Sequence, residues 1–195
     1  MASSLSRAKL ARAARNHNSG ILALLTDDAR LPDPHAALRA LPKASVVIVR
    51  ARDAKRRAQL ALSLLAMARA RGLILLVADD PLLAVRIGAH GIHLPEARAR
   101  EATHWRARFP RLLVTAAAHS LRAVLNSRDA DAVLLSPVFA TLSHEGAPPL
   151  SAVRARLMAR QVPMPLVALG GVNARNAGLL SGLAGIAAIG ALSLD

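Results

Sequence analysis

Short apolar runs recur along this chain at regular intervals, with helical patterns between them. Eight runs stand out, at residues 21–26, 45–50, 73–78, 91–94, 112–117, 132–136, 166–170 and 185–190. Most are continuously apolar, which is typical of parallel strands covered on both faces. Eight strands alternating with helices in 195 residues predict an α/β fold, a compact (β/α)8 TIM barrel. An open doubly wound sheet is the rival, but no strand-to-helix turn carries a GxGxxG pattern.

Several helices carry a recognisable start signal. Asp33 is followed by Pro34, a cap residue before proline at the first helical position. Asp53 precedes the longest helical pattern, which extends to Arg71. Further helices are expected after Pro81, Pro95, His119, Pro148 and Asn173.

The two ends of the chain depart from a regular barrel. Residues 1–19 are basic and are predicted to form a helical extension, while residues 20–195 form a single barrel domain. Asp195 follows closely on the eighth apolar run, so the final outer helix is expected to be missing. The extension or a second subunit would then cover that flank, since a bare strand face exposes apolar area. Homo-oligomerisation is left open.

Charge and composition narrow the classes of partner. The net charge is +14, but the basic residues are almost all arginines scattered along Ala- and Leu-rich helices, and only three aromatic residues could stack on bases. We therefore expect no nucleic-acid partner and an anionic small molecule instead. No apolar run approaches 18 residues and there is no cysteine, so we expect no membrane partner and a cytoplasmic location.

Glycines follow the last two predicted strands. Gly170 and Gly171 end the seventh run, and Gly190 ends the eighth. In barrels of this kind a phosphate commonly binds after strands seven and eight, where glycines let backbone N–H groups approach the anion. These three glycines are predicted to bind phosphate; the alternative is that the pair only forms a tight turn.

Several segments together resemble the thiamine phosphate synthase superfamily. LVALGGVNARN (166–176) is similar to that family's P-V-x-A-I-G-G-I signature, and SPVFATLSHEG (136–146) to its G-P-V-F-x-T-x-T-K loop. Weaker likenesses lie at 24–28, 47–52, 79–96 and 119–124. The resemblance implies a (β/α)8 barrel of thiamine biosynthesis. One branch, the synthase, joins a pyrimidine diphosphate to thiazole phosphate with Mg²⁺; the other, the thiazole tautomerase (TenI-type) branch, isomerises thiazole carboxylate phosphate without metal.

The metal-binding positions of the synthase pattern are altered. Asp79 matches one metal-binding aspartate, but the second falls on Arg98, with Glu96 nearby. Mg²⁺ prefers oxygen ligands, and an arginine opposes a cation. Under the tautomerase interpretation no cofactor is expected; Asp79 would be a Mg²⁺ ligand only under the synthase alternative. Asp79 could instead cap the helix that follows.

Other matched positions are partly retained. In the family's Q-x-R-x-K element Arg50 matches and the lysine is replaced by Arg52, while the loop lysine falls on His144. The resemblance implies that Arg50 and Arg52, with Thr141, Ser143 and His144 of the loop, contact an anionic substrate.

His119 follows the fifth predicted strand and is the proposed catalytic residue. In the tautomerase branch a histidine at this motif position is thought to move the proton, and an imidazole titrates near neutrality. The alternative is a surface or helix-capping histidine. The favoured function is therefore a tautomerase that binds a thiazole phosphate. A synthase with a diverged diphosphate site and a non-catalytic ligand-binding barrel are the other candidates.

A metal pair formed by His90 and His93 is discounted, because residues three apart on a strand face opposite sides.

Overall fold

The computed structural model describes residues 20–31, 33–141 and 148–189. Within these residues eight strands pair in parallel with their sequence neighbours, and β1 also pairs with β8, so the sheet closes into a barrel. The predicted (β/α)8 fold is confirmed. The strands are β1 Ile21–Leu25, β2 Val46–Val49, β3 Ile74–Ala78, β4 Gly91–Leu94, β5 Leu113–Ala118, β6 Ala132–Leu135, β7 Leu166–Ala168 and β8 Gly185–Ile189.

Helices connect the strands on the outside of the barrel. The α-helices are α1 Pro34–Ala40, α2 Ala54–Arg71, α3 Pro81–Ile87, α4 Ala102–Arg108, α5 Leu121–Asn126 and α6 Ala152–Ala159. A 3₁₀ helix at Glu96–Glu101 leads into α4, and another at Ala177–Leu180 connects β7 to β8. The described helices therefore follow the alternation that the apolar runs predict.

The predicted start signals act as helix caps. The Asp33 carboxylate accepts the Ala36 N–H at the start of α1, and Pro34 occupies the first turn. The Asp53 carboxylate accepts the Arg56 N–H at the start of α2. Each cap satisfies a backbone donor that has no partner inside its helix.

The prediction of a helix that begins at Asn173 is wrong. The Asn173 side chain does accept nearby N–H groups, those of Arg175 and Asn176, but it closes a turn and no α-helix follows. Only the 3₁₀ helix Ala177–Leu180 forms. Gly178 lies inside this short segment, where its conformational freedom disfavours a longer helix. Among the described residues no α-helix begins after β7, so the predicted phosphate site gains no helix dipole there.

Apolar side chains fill two layers. Side chains such as Val47 and Leu75 point outward and are covered by the helices, while Ile48 and Leu76 point into the barrel and are fully buried. Towards the carboxyl ends of the strands the inward positions hold small residues, and these leave space at that end of the barrel. They are Ala78, Ala117 and Ala187.

Two expectations about the ends of the chain lie outside the described residues. These are the helical extension at 1–19 and the missing helix after β8. Among the helices of the described part, none is long and apolar enough to span a bilayer.

A buried carboxylate links two strands and gives a test of the fold. Asp131 accepts the Val114 N–H at 2.9 Å and the Arg106 Nη1 at 3.0 Å, and its side chain is almost fully buried. Asp131→Ala leaves both donors without that acceptor, so we expect the free energy of unfolding to fall by about 3 kcal/mol. Asp129→Ala, at an exposed position, should cost less than about 1 kcal/mol. Urea unfolding measures both; equal losses would contradict this role.

Candidate active site

A cavity of about 610 Å³ opens at the carboxyl ends of the strands. The structure brings together around it seven residues singled out from the sequence. They are Arg50, Arg52, Asp79, His119, Thr141, Gly170 and Gly171. The remaining candidates, Ser143, His144 and Gly190, lie outside the described residues.

Three consecutive peptide carbonyls after β7 are held by the protein. The Leu169 carbonyl accepts the Val138 N–H, and the Gly170 carbonyl accepts the Phe139 N–H, both at 3.0 Å. The Gly171 carbonyl accepts the Asn176 Nδ2 at 2.8 Å. In a trans peptide the N–H points away from the carbonyl of the same unit. The N–H groups of the residues that follow these carbonyls therefore point away from Val138, Phe139 and Asn176.

Those three N–H groups belong to Gly170, Gly171 and Val172, which all line the cavity. None of them donates a backbone hydrogen bond to another described residue. A run of N–H groups on one side of the chain forms a concave, positively polarised surface that suits an anion. This arrangement agrees with the predicted phosphate site, while phosphate binding itself stays a prediction.

The glycines are also required by the backbone. Gly170 and Gly171 have φ values of +92° and +65°, which residues with a Cβ rarely adopt. A Cβ at Gly171 would collide with Phe139 and with the Ala140 carbonyl. The tight turn therefore forms, and the same turn presents the N–H groups of the predicted phosphate site.

His119 follows β5 and is held by one carboxylate. Glu96 Oε2 accepts the His119 backbone N–H at 2.7 Å and lies 2.6 Å from the ring Nδ1. The pair fixes the orientation of the imidazole at the cavity and favours the tautomer that carries its proton on Nδ1. Both side chains are exposed, His119 to 43% and Glu96 to 40%, so the surface alternative for His119 stays open. The helix cap of α5 is Ser120, which accepts the Ala123 N–H, so the capping alternative for His119 is wrong.

Arg50 is positioned by the end of β1. The buried Thr26 hydroxyl donates to the Arg50 carbonyl at 2.9 Å and accepts its N–H at 2.8 Å. The Arg50 guanidinium contacts the Asp27 carboxylate at 3.1 Å. Arg30 hydrogen-bonds the same carboxylate and is the main reason that the Asp27 pKa is lowered to about 2. Asp27 is therefore ionised at neutral pH and holds both arginines at the rim.

Two further arginines face the cavity. The Arg52 backbone N–H donates to Asp28, and no described residue hydrogen-bonds its guanidinium. Arg57 donates to the Ala51 carbonyl from Nη1, while its Nε is buried without an acceptor among the described residues. Sequence reasoning missed Arg57; its place in the first turn of the helix after β2, at the carboxyl-end rim, was the available signal.

The retained aspartate is ion-paired with an arginine. Asp79 Oδ1 lies 2.6 Å from Arg98 Nη1, and the same guanidinium contacts Glu101 at 2.8 Å. Arg98 lowers the Glu101 pKa to about 2, and both carboxylates raise the Arg98 pKa. A guanidinium thus lies where a cation would need oxygen ligands. Within the described ranges no cluster of three ligand-type side chains could hold a metal.

Asp79 is not a helix cap either. The carboxylate that caps α3 belongs to Asp80, which accepts the Leu83 N–H. The cap position lies one residue later than the sequence suggested.

His90, just before β4, and His93, on β4, have different surroundings. His90 Nδ1 accepts the Leu75 N–H, whereas His93 lies inside the barrel and lines the cavity. The discounted metal pair does not form. Sequence reasoning considered His93 only as a metal ligand and did not identify it as a polar residue that lines the cavity.

The sequence profile of the family described as thiamine monophosphate synthase matches residues 22–192. The chain belongs to this family. It is 31% identical over 132 residues to a putative thiamine-phosphate synthase 2 of Aquifex aeolicus, covering 66% of this chain and 70% of that protein. It is 33% identical to a thiamine-phosphate synthase of Lysinibacillus sphaericus, where the match covers 60% of this chain and 57% of that relative.

A solved structure of the family has the same fold. Thiamine phosphate pyrophosphorylase from Pyrococcus furiosus superposes with a TM-score of 0.75, covering 94% of this chain and 87% of that one. At 24% identity this likeness supports the barrel and leaves the reaction to be argued from the site.

The Arg98 ion pairs predict that wild-type protein is indifferent to Mg²⁺. We expect millimolar Mg²⁺ to leave its Tm unchanged. Arg98→Asp places a third carboxylate beside those of Asp79 and Glu101. Mg²⁺ should raise the Tm of that variant, because the cation relieves the repulsion among the three. Thermal unfolding with Mg²⁺ or with EDTA is the measurement.

Arg154→Asp is the control, because it introduces the same charge change on α6, away from the cavity. A Mg²⁺-dependent rise in the wild-type Tm would show that Arg98 does not block a cation.

Proposed function

We propose that this chain is a metal-independent enzyme of thiamine biosynthesis that binds a thiazole phosphate and isomerises it by proton transfer through His119. The single observation that supports it most directly is the His119–Glu96 pair at the cavity. The glycine amides supply a site for the phosphate on another part of the same rim.

Charge around the cavity favours an anionic ligand. Arg30, Arg50, Arg52 and Arg57 line it, against Asp79 as the one carboxylate among the described lining residues. Arg30 and Arg50 share the single Asp27 carboxylate, and Arg57 lies 3.7 Å from Asp80, so a net positive charge remains. Asp79 is itself paired with Arg98. A phosphate ester that also carries a carboxylate would have guanidinium partners at the β2 side and N–H groups at the β7 side.

Proton transfer would proceed at the His119 ring. With Nδ1–H donated to Glu96, Nε2 takes a proton from a substrate carbon and the electron pair moves into the ring system. The imidazolium that forms is stabilised by the Glu96 carboxylate. Nε2 then returns the proton to another atom of the substrate, so the product is an isomer and no co-reactant is needed. A single base can do both steps because imidazole accepts and releases protons near neutral pH.

The first test removes the proposed base. We expect His119→Ala to lower kcat for isomerisation of thiazole carboxylate phosphate by about 10² to 10⁴. The Kd for thiazole phosphate should change little, because His119 follows β5 whereas the glycine amides follow β7. Glu96→Gln keeps a hydrogen-bond acceptor but removes the charge, so we expect a smaller loss of kcat.

His104→Ala is the matched control. His104 stacks edge-on against Trp105 on α4 and does not line the cavity. Isomerase activity of His119→Ala equal to that of His104→Ala would reject His119 as the base.

The second test concerns the phosphate site. Gly171→Ala adds a Cβ that collides with the 139–140 segment at a positive φ, so the turn must shift and its N–H groups with it. We expect affinity for thiazole phosphate to fall by about tenfold or more and stability by about 2 kcal/mol.

Gly182→Ala separates binding from strain. Gly182 also has a positive φ, +94°, but a Cβ there meets no atom and the residue does not line the cavity. It should lose about 1 kcal/mol of stability and keep full affinity. Calorimetric titration with thiazole phosphate checks both; unchanged affinity in Gly171→Ala would remove the amides from the site.

A thiamine phosphate synthase is the second candidate. The names of the relatives favour it. The Asp79–Arg98 pair opposes it, because the metal that would hold diphosphate has no ligand cluster within the described residues. Incubation with the pyrimidine diphosphate, thiazole phosphate and Mg²⁺ decides between them: formation of thiamine phosphate at a normal turnover, abolished by EDTA, would establish the synthase.

A further inference from the structure

Ser136 is a buried serine whose hydroxyl has no hydrogen-bond partner among the described residues. It follows β6, is 5% exposed and lines the cavity. Seven polar residues are buried in the described part of the chain, and the side chains of six of them hydrogen-bond within the protein. Those six are Thr26, Ser45, His93, Thr115, Ser127 and Asp131. The hydroxyl of Ser136 is therefore an unused donor.

The Ser136 hydroxyl is open to the cavity. Within the described ranges, Arg57 Nε is the side-chain polar atom that is both enclosed by protein and without a partner. Ser136 Oγ also lacks a partner but is not enclosed, so it faces the space that the residue lines. A hydroxyl that stays unpaired away from water is costly, and an acceptor on a ligand would remove that cost.

Strand alternation turns the Ser136 side chain inward. Ala132 and Leu134 pack in the interior of the barrel, whereas Val133 and Leu135 face the helices. Ser136 is the next inward position, at the carboxyl end of the strand. Its hydroxyl therefore points to the same space as the proposed site.

Ser136 lies between the proposed base and the proposed phosphate site. Its N–H donates to the Ala118 carbonyl at 3.0 Å, which extends the pairing of β5 with β6 and places Ser136 level with His119. On the other side β6 pairs with β7, and the Leu169 N–H that extends this pairing lies one residue before Gly170. Neighbouring strands are about 5 Å apart. A ligand that reaches from the N–H groups after β7 to the histidine therefore passes Ser136.

A thiazole phosphate that carries a carboxylate has three kinds of acceptor. The proposed function assigns the phosphate to the N–H groups after β7 and the carboxylate to the arginines on the β2 side. In the closed strand order β2 lies across the barrel from β6, so that carboxylate is far from the serine. The ring nitrogen is the remaining acceptor, and the hydroxyl after β6 is the donor next to it.

We propose that Ser136 is a specificity-determining residue whose hydroxyl donates a hydrogen bond to the ring nitrogen of the ligand. This rests on the proposed function, because it requires a nitrogen heterocycle carried by a phosphate ester in the same cavity. An aromatic thiazole presents a nitrogen lone pair in the plane of the ring, which suits a hydroxyl donor. A ring of the same shape with C–H in place of nitrogen leaves the hydroxyl unpaired beside Ala117 and Leu169.

The experiment compares two phosphate esters that differ only in this acceptor. One is thiazole phosphate; the other is the matching thiophene ester, in which C–H replaces the ring nitrogen. Calorimetric titration gives the ratio of the two affinities for each variant. The preference for the thiazole ester should fall by about tenfold from wild type to Ser136→Ala, which has no donor. Ser136→Cys, whose thiol is a weaker donor, should give an intermediate ratio.

Ser127→Ala is the matched control. Ser127 is also a buried serine, but its hydroxyl donates to the Ala123 carbonyl at 2.9 Å and the residue does not line the cavity. This variant should keep the wild-type ratio and unfold at a lower urea concentration, because it loses an internal hydrogen bond. Ser136→Ala should unfold at the wild-type urea concentration or above it, since it loses no such bond.

The outcomes separate the two proposals. If Ser136→Ala keeps the wild-type ratio, or lowers the urea midpoint as much as Ser127→Ala does, the role of Ser136 is wrong while the phosphate site stands. If Ser136→Ala weakens both esters and inorganic phosphate by the same factor, the hydroxyl contacts the phosphate and its assignment to the ring is wrong. If neither ester binds wild-type protein, the proposed function fails and the inference about Ser136 fails with it.

Discussion

The pairing of β1 with β8 is the contact on which the site depends. Five residue pairs, from Ile21 with Gly185 to Leu25 with Ile189, join the first strand to the last and close the sheet. Closure brings the carboxyl ends of all the strands around one space. Arg50 after β2, His119 after β5 and Gly171 after β7 therefore line one cavity although over a hundred residues separate the first from the last. An open sheet of the same strands would leave these groups in a row.

Internal ion pairs decide which charges the cavity offers to a ligand. Asp27 holds Arg30 and Arg50 at the rim, and Arg98 holds Asp79 and Glu101 together outside it. The first arrangement orders two positive groups, and the second neutralises the carboxylate that a metal would need. Together with the N–H groups after β7, they are the charges and the backbone geometry on which the proposed anion site rests. The chain shares the fold of a solved thiamine phosphate pyrophosphorylase, and at its own β3–β4 side an arginine lies between two carboxylates.

Sequence reasoning succeeded where a local pattern has one physical meaning. The glycines at 170 and 171 follow an apolar run; the structure forms the turn there, and both residues line the cavity. It was wrong about the helix after Asn173, because an asparagine cap signal also starts a simple turn when glycines follow. It did not find Glu96 as the partner of His119, since these residues lie 23 apart and only the packing of β4 beside β5 brings them together. His93 was treated as half of an implausible metal pair, whereas the structure places it among the residues that line the cavity.

By itself the sequence determined the order and number of the strands, the caps of the first helices, the rim on which function is expected and the arginine at position 98, where the synthase pattern has a carboxylate. These follow from periodicity, from residue type and from resemblance to the family. Only the tertiary structure decided that Arg98 binds Asp79, that Glu96 orients His119 and that the carbonyls after β7 are held so that their neighbouring N–H groups are left for a ligand. These contacts depend on distances between groups far apart in the chain. The sequence does not contain those distances, because they are set only when the barrel closes.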